Sequence, residues 1–317
     1  MRGFACGAGA RWIVVSSWVA ATLCSAPRAG ESFVFESLAE GVHLVRPAHA
    51  TESRTNSLVV EREDGLLVAA SQPSPAAARE LLAAIEARLG RPLRYLALPH
   101  SHADAAGGAS AFPESMLVIG TSGYLEALRD PEYDFGAETR IRSLASPAWS
   151  EPPRRLPTLV LEAKTLLDDP KNPVELLPFG RVHSRGDMLL ILPRSGIFFG
   201  GALLAPGRDP YAGDAQIASW MAALNHLVRE APRVLIPLRG ASVDLETLRA
   251  QRDGFAWLQG QVNSGLSDRL SHDAILSSIL EHAGLSERFA SDSPFLIGLI
   301  ERAIEEAAAT RAKFHRP

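Results

Sequence analysis

Short apolar runs separated by turn residues dominate the chain from Phe33 to Ile236, and stretches with helical spacing lie between and after them. Phe33-Val34-Phe35 and Val42-His43-Leu44-Val45 flank Glu40-Gly41 and predict two strands around a turn. Asn56–Glu61 and Leu66–Ala70 flank Asp64-Gly65, a strong hairpin signal because this dipeptide tolerates the positive φ of a tight turn. A helix is predicted over Pro75–Leu89. Ser74 caps it, Ala78, Leu81, Leu82, Ile85 and Leu89 share one face, and Gly90 closes it. Leu93–Leu98 and Met116–Ile119 read as buried strands, and Tyr124–Leu128 as a short helix.

From Asp130 to Pro157 the pattern lapses into proline and charge, interspersed with Tyr133, Phe135 and Trp149. A stretch of this kind inside a domain is a lid or binding loop, or a peripheral excursion. Strands resume at Thr158–Leu161, Thr165–Leu167, Val174–Leu177 and Met188–Leu192, and Gly196–Gly200 pairs with the last of them. A helix follows over Ala215–Val228, then a final strand at Val234–Ile236. Beyond Asp244 the chain reads as helical over 244–264, 272–283 and 294–312. The last helix carries Leu296, Leu299, Ile300, Ala303, Ile304 and Ala307 on one stripe, which suits packing on the body of the protein. Two β-rich halves, each with its own helices, predict two facing sheets with helices outside.

Composition adds little to the fold but narrows the function. A chain of 317 residues with 46% hydrophobic residues supports a substantial core. The net charge of −4 and the lack of a basic run argue against nucleic acid as a partner. Residues 1–30 read as a signal peptide: Arg2 and Arg11 precede an apolar stretch too short to span a membrane, and small residues follow. The mature chain is thus expected to be exported, periplasmic or secreted, without a membrane span. Cys6 and Cys24 both lie in that segment, leaving no thiolate ligand or disulfide after it. The predicted organisation is a signal peptide over 1–30, a domain over 31–242 and a helical extension over 243–317.

Candidate chemistry centres on Leu98-Pro99-His100-Ser101-His102-Ala103-Asp104, at the end of a predicted buried strand. Histidines one residue apart in an extended segment project to the same side, and Asp104 adds an oxygen donor. Imidazole nitrogen and carboxylate oxygen suit zinc. His43, His49, His226, His272, His282 and His315 lack such a context.

With these residues in view, the chain resembles the metallo-β-lactamase superfamily. The matching segments, in order, are Asn56–Val60, Asp64–Val68, Arg94–Asp104, His183-Ser184-Arg185-Gly186-Asp187, Gly196–Gly201 and Val234–Pro237. Trp220–Asn225 and the helical tail resemble, more loosely, exported members associated with quinoprotein and sulfur-oxidation systems. The resemblance implies an αββα sandwich, an α/β fold of two facing mixed sheets with outer helices, plus a C-terminal helical extension. It also implies a first metal site of His100, His102 and His183, and Asp104 as a second-site ligand. Ala105, Gly201 and Arg239 stand where the family places the other second-site ligands, so one zinc per chain is expected.

Three histidines leave zinc an open position, which suits hydrolysis of an acyl substrate such as an ester, amide or lactone. Asp104 is then the candidate to orient the water or act as base, and Arg239 to pair with Asp104 or hold a substrate carboxylate. Asp187 is expected to support the His183 loop. Two other readings stay open: a catalytically inactive binding or scaffold protein, and, with less support, a β-lactamase. In each case the expected partner is a small-molecule substrate or ligand.

Overall fold

The computed structural model describes residues 32–49, 54–142, 153–206, 210–283 and 294–314. The signal-peptide reading of residues 1–30 lies outside the described residues. One mixed sheet runs in the order β1 (Phe33–Ala39), β2 (Val42–Pro47), β3 (Ser57–Arg62), β4 (Gly65–Ala69), β5 (Leu93–Ala97), β6 (Leu117–Thr121) and β7 (Leu159–Leu161). Its first four strands are antiparallel and β4 to β7 are parallel. The second sheet is formed by β8 (Thr165–Leu167), β9 (Val174–Gly180), β10 (Asp187–Leu192), β11 (Ile197–Gly201) and β12 (Val234–Pro237), of which only the β11–β12 pair is parallel.

Strand alternation sorts the core into three layers. Leu58, Val60 and Leu67 of the first sheet meet Leu190, Phe199 and Ile236 of the second between the sheets. The alternate residues Val59, Val68 and Leu96 turn outward to α1 (Pro75–Leu89). On the far side, Leu189 and Phe198 pack under α5 (Ile217–Glu230) and the C-terminal helices α6 (Leu245–Ser267), α7 (His272–Ala283) and α8 (Pro294–Phe314). Both faces of both sheets are thus covered, which explains their near-continuous apolar strands. No helix among the described residues is long and apolar enough to cross a membrane.

Local signals set the first helix where its sequence predicts it. Ser74 accepts the Ala77 N–H, proline occupies the first turn, and Gly90 takes a left-handed φ of 55° while donating to the Glu86 carbonyl. Leu81 and Ile85 are buried at its centre, where truncation to alanine costs about 2–5 kcal/mol.

Gly107 and Gly108 lie between a single helical turn, α2 (Ala103–Ala106), and a 3-10 turn, Ala109–Ala111. Gly108 is needed there because a Cβ would lie 2.0 Å from the Ser71 carbonyl oxygen. The proline-rich stretch after α3 (Ser122–Arg129) contains a short helix, α4 (Ala137–Arg142). It is short, charged and without apolar periodicity, so nothing in its pattern marks it as helical.

Candidate metal centre

The site lies at one edge of the sandwich, where the loops after β5, β6, β11 and β12 meet the β9–β10 turn. A small cleft opens there, with Asp104, Glu138, His183 and Arg239 among its polar lining residues. Leu204, Pro210, Tyr211 and Leu238 supply apolar wall.

His100 and His102 leave the end of β5 in an extended segment, and α2 starts at Ala103. Its turn is tied down from both sides: Ser71 donates N–H and hydroxyl to the Ala105 carbonyl, and Ala103 N–H donates to the Phe135 carbonyl at 2.8 Å. His183 sits in the β9–β10 turn, whose form is dictated by Asp187. One oxygen of that carboxylate accepts the Val182 and Ser184 N–H groups at 3.1 and 2.7 Å. Gly186 lets this turn approach α3, since a Cβ there would lie 2.1 Å from the Tyr124 nitrogen.

The three imidazoles converge edge to face, with ring centroids 4.8 to 5.5 Å apart. Glu138, on α4, inserts its carboxylate among them: one oxygen lies 3.2 Å from His183 Nε2 and 3.5 Å from His102 Nδ1. All four residues are buried, and their donor atoms lie within 4.8 Å of one another. Among the described residues this is the one such cluster. Glu138 was invisible in the sequence because it sits in the aperiodic stretch. Arg154 anchors that stretch by donating to the Asp130 and Tyr133 carbonyls at 3.1 and 2.7 Å.

Asp104 stands outside this group. Its carboxylate lies 2.8 Å from His100 Nε2 and 3.3 Å from Arg239 Nη2, and no part of it is exposed. Of the two roles expected for Arg239, pairing with Asp104 is the one seen, and its other terminal nitrogen donates to the Arg54 carbonyl at 3.0 Å. Ala105 is part of the inter-sheet core, and Gly201 ends β11 with a left-handed φ of 55°.

The surroundings of His102 and His183 favour positive charge. Burial opposes charge on His102, but the Asp214 hydrogen bond and the nearby Glu138 carboxylate outweigh it and push its pKa up to about 9. His183 follows the same logic: burial opposes charge, while Asp187 and Glu138 push it up to about 10. Burial and the nearby Glu138 work against the Asp104 carboxylate, yet His100 and Arg239 hold its pKa below the usual value. The Nδ1 atoms of His100, His102 and His183 are buried without a hydrogen-bond partner among the described residues. Orphaned imidazole nitrogens beside a buried carboxylate fit a divalent metal ion with mixed nitrogen and oxygen ligands.

Fold and site together define a metallo-β-lactamase fold with a buried His/Glu cluster that could hold a metal ion. Three solved structures share that architecture. A double mutant of the sec-alkyl sulfatase PisA1 aligns over 89% of this chain and 52% of its own, with TM-score 0.68 and 15% identity. The stereoselective inverting sec-alkylsulfatase Pisa1 from Pseudomonas sp. aligns over 86% and 49%, with TM-score 0.69 and 15% identity. A metallo-β-lactamase from Pontibacter korlensis aligns over 71% and 95%, with TM-score 0.51 and 18% identity. The chain spans about half the length of the two sulfatase chains. No protein-family model matches the sequence. At these identities the likeness establishes the fold and leaves the chemistry to the site.

Proposed function

We propose that this chain is an exported single-metal hydrolase acting on an acyl substrate: an ester, amide or lactone. The observation that carries the reading is the convergence of His100, His102, His183 and Glu138, of which His183 and Glu138 line an open cleft. The donor set suits one zinc ion per chain. A zinc ion there supplies Lewis-acid activation of water and of a carbonyl oxygen.

The chain's own residues would divide the remaining work. The three histidines would act as neutral donors, with Asp214 hydrogen-bonded to His102 Nε2 and the Asp187 carboxylate 3.7 Å from His183 Nδ1. Asp104 fixes His100 and is itself fixed by Arg239, so both serve the shape of the site. Glu138 is the carboxylate nearest the histidines and is the candidate to share the metal or to accept a proton from attacking water. Tyr211, Leu204 and Leu238 offer an apolar wall for the non-reacting part of a substrate.

The observation that favours a second reading is Glu138 itself. Four protein donors close a tetrahedral zinc site, as in structural centres, and would leave a binding protein. A hydrolase screen on the metal-loaded protein separates the two. Aryl esters, lactones, β-lactams and alkyl sulfate esters are each offered with and without chelator. Chelator-sensitive hydrolysis of an ester, amide or lactone supports the proposal. A metal-loaded chain inert to the whole panel supports the binding protein, and turnover confined to sulfate esters replaces the acyl assignment.

A further inference from the structure

The loop before α5 joins the C-terminal extension to the clustered histidines. Asp214 Oδ2 lies 2.9 Å from His102 Nε2. Arg181 Nε donates to the Asp214 backbone carbonyl at 2.8 Å. Next along the loop, the Gln216 N–H donates to the carbonyl of Val182, the residue before His183, at 2.8 Å.

Helix α8 grips this loop from the opposite side. Arg302 Nε donates to the Ala215 carbonyl at 2.7 Å. The two Glu306 carboxylate oxygens accept the N–H groups of Ile217 and Ala218, at 2.6 and 3.0 Å. These are among the amides that a helix start leaves unsatisfied, and Gln216 offers no side-chain cap of its own. A carboxylate from α8 supplies the cap and complements the positive end of α5. The stripe of α8 that includes Leu299, Ile300 and Ile304 is buried in the same core as Trp220 of α5, so the grip is backed by packing.

A histidine whose one ring nitrogen donates to a carboxylate presents the lone pair of the other. His102 meets Asp214 through Nε2, which leaves Nδ1 directed at Glu138 and the metal group. We propose that Asp214 is a positioning residue of the metal centre, and that α8 holds it there through Arg302 and Glu306. The C-terminal extension thereby sets the metal affinity of a site whose ligands all come from the preceding domain. This rests on reading His100, His102, His183 and Glu138 as a metal site.

Zinc titration of the metal-free full chain by calorimetry tests it, with thermal melting of each variant recorded alongside. Asp214→Ala weakens zinc binding about 10- to 100-fold, the range for losing the partner of a metal-binding histidine. Asp214→Asn, which keeps the shape and an acceptor oxygen, loses less and covers the case in which the alanine variant fails to fold. The pair Arg302→Ala and Glu306→Ala weakens binding about tenfold. Added to Asp214→Ala it brings no further loss, because the clamp acts through Asp214. A merely structural clamp would lower the melting temperature and leave zinc affinity alone. Wild-type affinity in a folded Asp214 variant, or losses that multiply in the combined variant, overturns the inference while the metal site stands. A wild-type chain that takes up no zinc overturns the site and the inference together.

Discussion

Arg239 Nη2 lies 3.3 Å from Asp104 Oδ2, with the carboxylate wholly buried and the guanidinium nearly so. A fixed cation therefore faces the one carboxylate that the sequence resemblance assigns to a second metal. The carboxylate is engaged on its other side by His100, so Asp104 links the histidine cluster to the loop after β12. The pair explains how a buried aspartate stays ionised there: its negative charge is matched at hydrogen-bond distance from two directions.

Removing one partner of that pair strands the other. Arg239→Met, close in length but uncharged, is expected to destabilise the fold by about 3–5 kcal/mol, because it leaves a buried charge without its cation. Asp104→Asn in the same chain removes the stranded charge and recovers a large part of that loss. Urea unfolding of the two single variants and the double variant gives the coupling directly. Additive losses would show that the contact contributes nothing.

The metal-free site should release protons when it loads. His102 and His183, raised to about 9 and 10, carry their protons at neutral pH in the metal-free chain, whereas a metal ligand must be neutral imidazole. Apparent zinc affinity thus rises with pH until it levels off above those values. The stability of the metal-free chain runs the opposite way. Folded values above the unfolded one give a contribution fully present below about pH 6.5, lost as pH rises through 9 to 10. Calorimetry of zinc binding at pH 7 in buffers of different ionisation enthalpy should report about two protons released per metal ion. No release would show that both histidines are already neutral.

A second buried carboxylate ties the β3–β4 hairpin to the β8–β9 connection. Asp169 accepts the N–H groups of Glu63, Lys171 and Asn172 at 2.9, 2.9 and 2.8 Å. Burial opposes its ionisation, but these bonds and Arg62 lower its pKa below the usual value. Its contribution is thus present above about pH 4 and lost as pH falls through the lower folded value. Asp169→Ala is expected to cost about 1–3 kcal/mol at neutral pH, through buried donors left unpaired. The gap from wild type in denaturant midpoint should narrow below pH 4; a constant gap would contradict the assignment.

Trp220 packs against the histidine cluster. Its ring lies 5.4 Å from that of His183 and 5.1 Å from Phe255 of α6, and its Nε1 donates to the Leu203 carbonyl at 3.1 Å. Trp220→Ala should cost about 3–5 kcal/mol through the cavity it leaves. Trp220→Phe should cost much less, because Gln251 also donates to the Leu203 carbonyl at 2.9 Å and keeps that oxygen satisfied. Equal losses in the two variants would place the cost in the hydrogen bond instead of the packing.

The sequence displayed most of the scaffold and only part of the site, for separable reasons. Strand alternation, the Asp64-Gly65 hairpin, and the Ser74, Pro75 and Gly90 boundaries are local signals, and each stands where its residues predict. His100 and His102 share one short segment, and His183 was found through its resemblance to a known segment order. Glu138 and Asp214 carry no such mark. Glu138 lies on a short charged helix inside a proline-rich run, and Asp214 in a turn outside any periodic element. Their roles arise from contacts far apart in sequence: Glu138 with His183, and Asp214 with His102. The Arg239–Asp104 pair is one of the two roles the family resemblance offers for Arg239, and the fold selects it.

The most direct test of the central claim is metal content by elemental analysis of the purified chain after incubation with zinc and removal of free metal. Wild type is compared with His102→Ala, His183→Ala and Glu138→Gln. About one zinc ion per wild-type chain is expected, with that ion lost in both histidine variants and retained more weakly in Glu138→Gln. A folded wild-type chain that retains no zinc, or histidine variants that retain it fully, would contradict the claim that these residues form a metal centre.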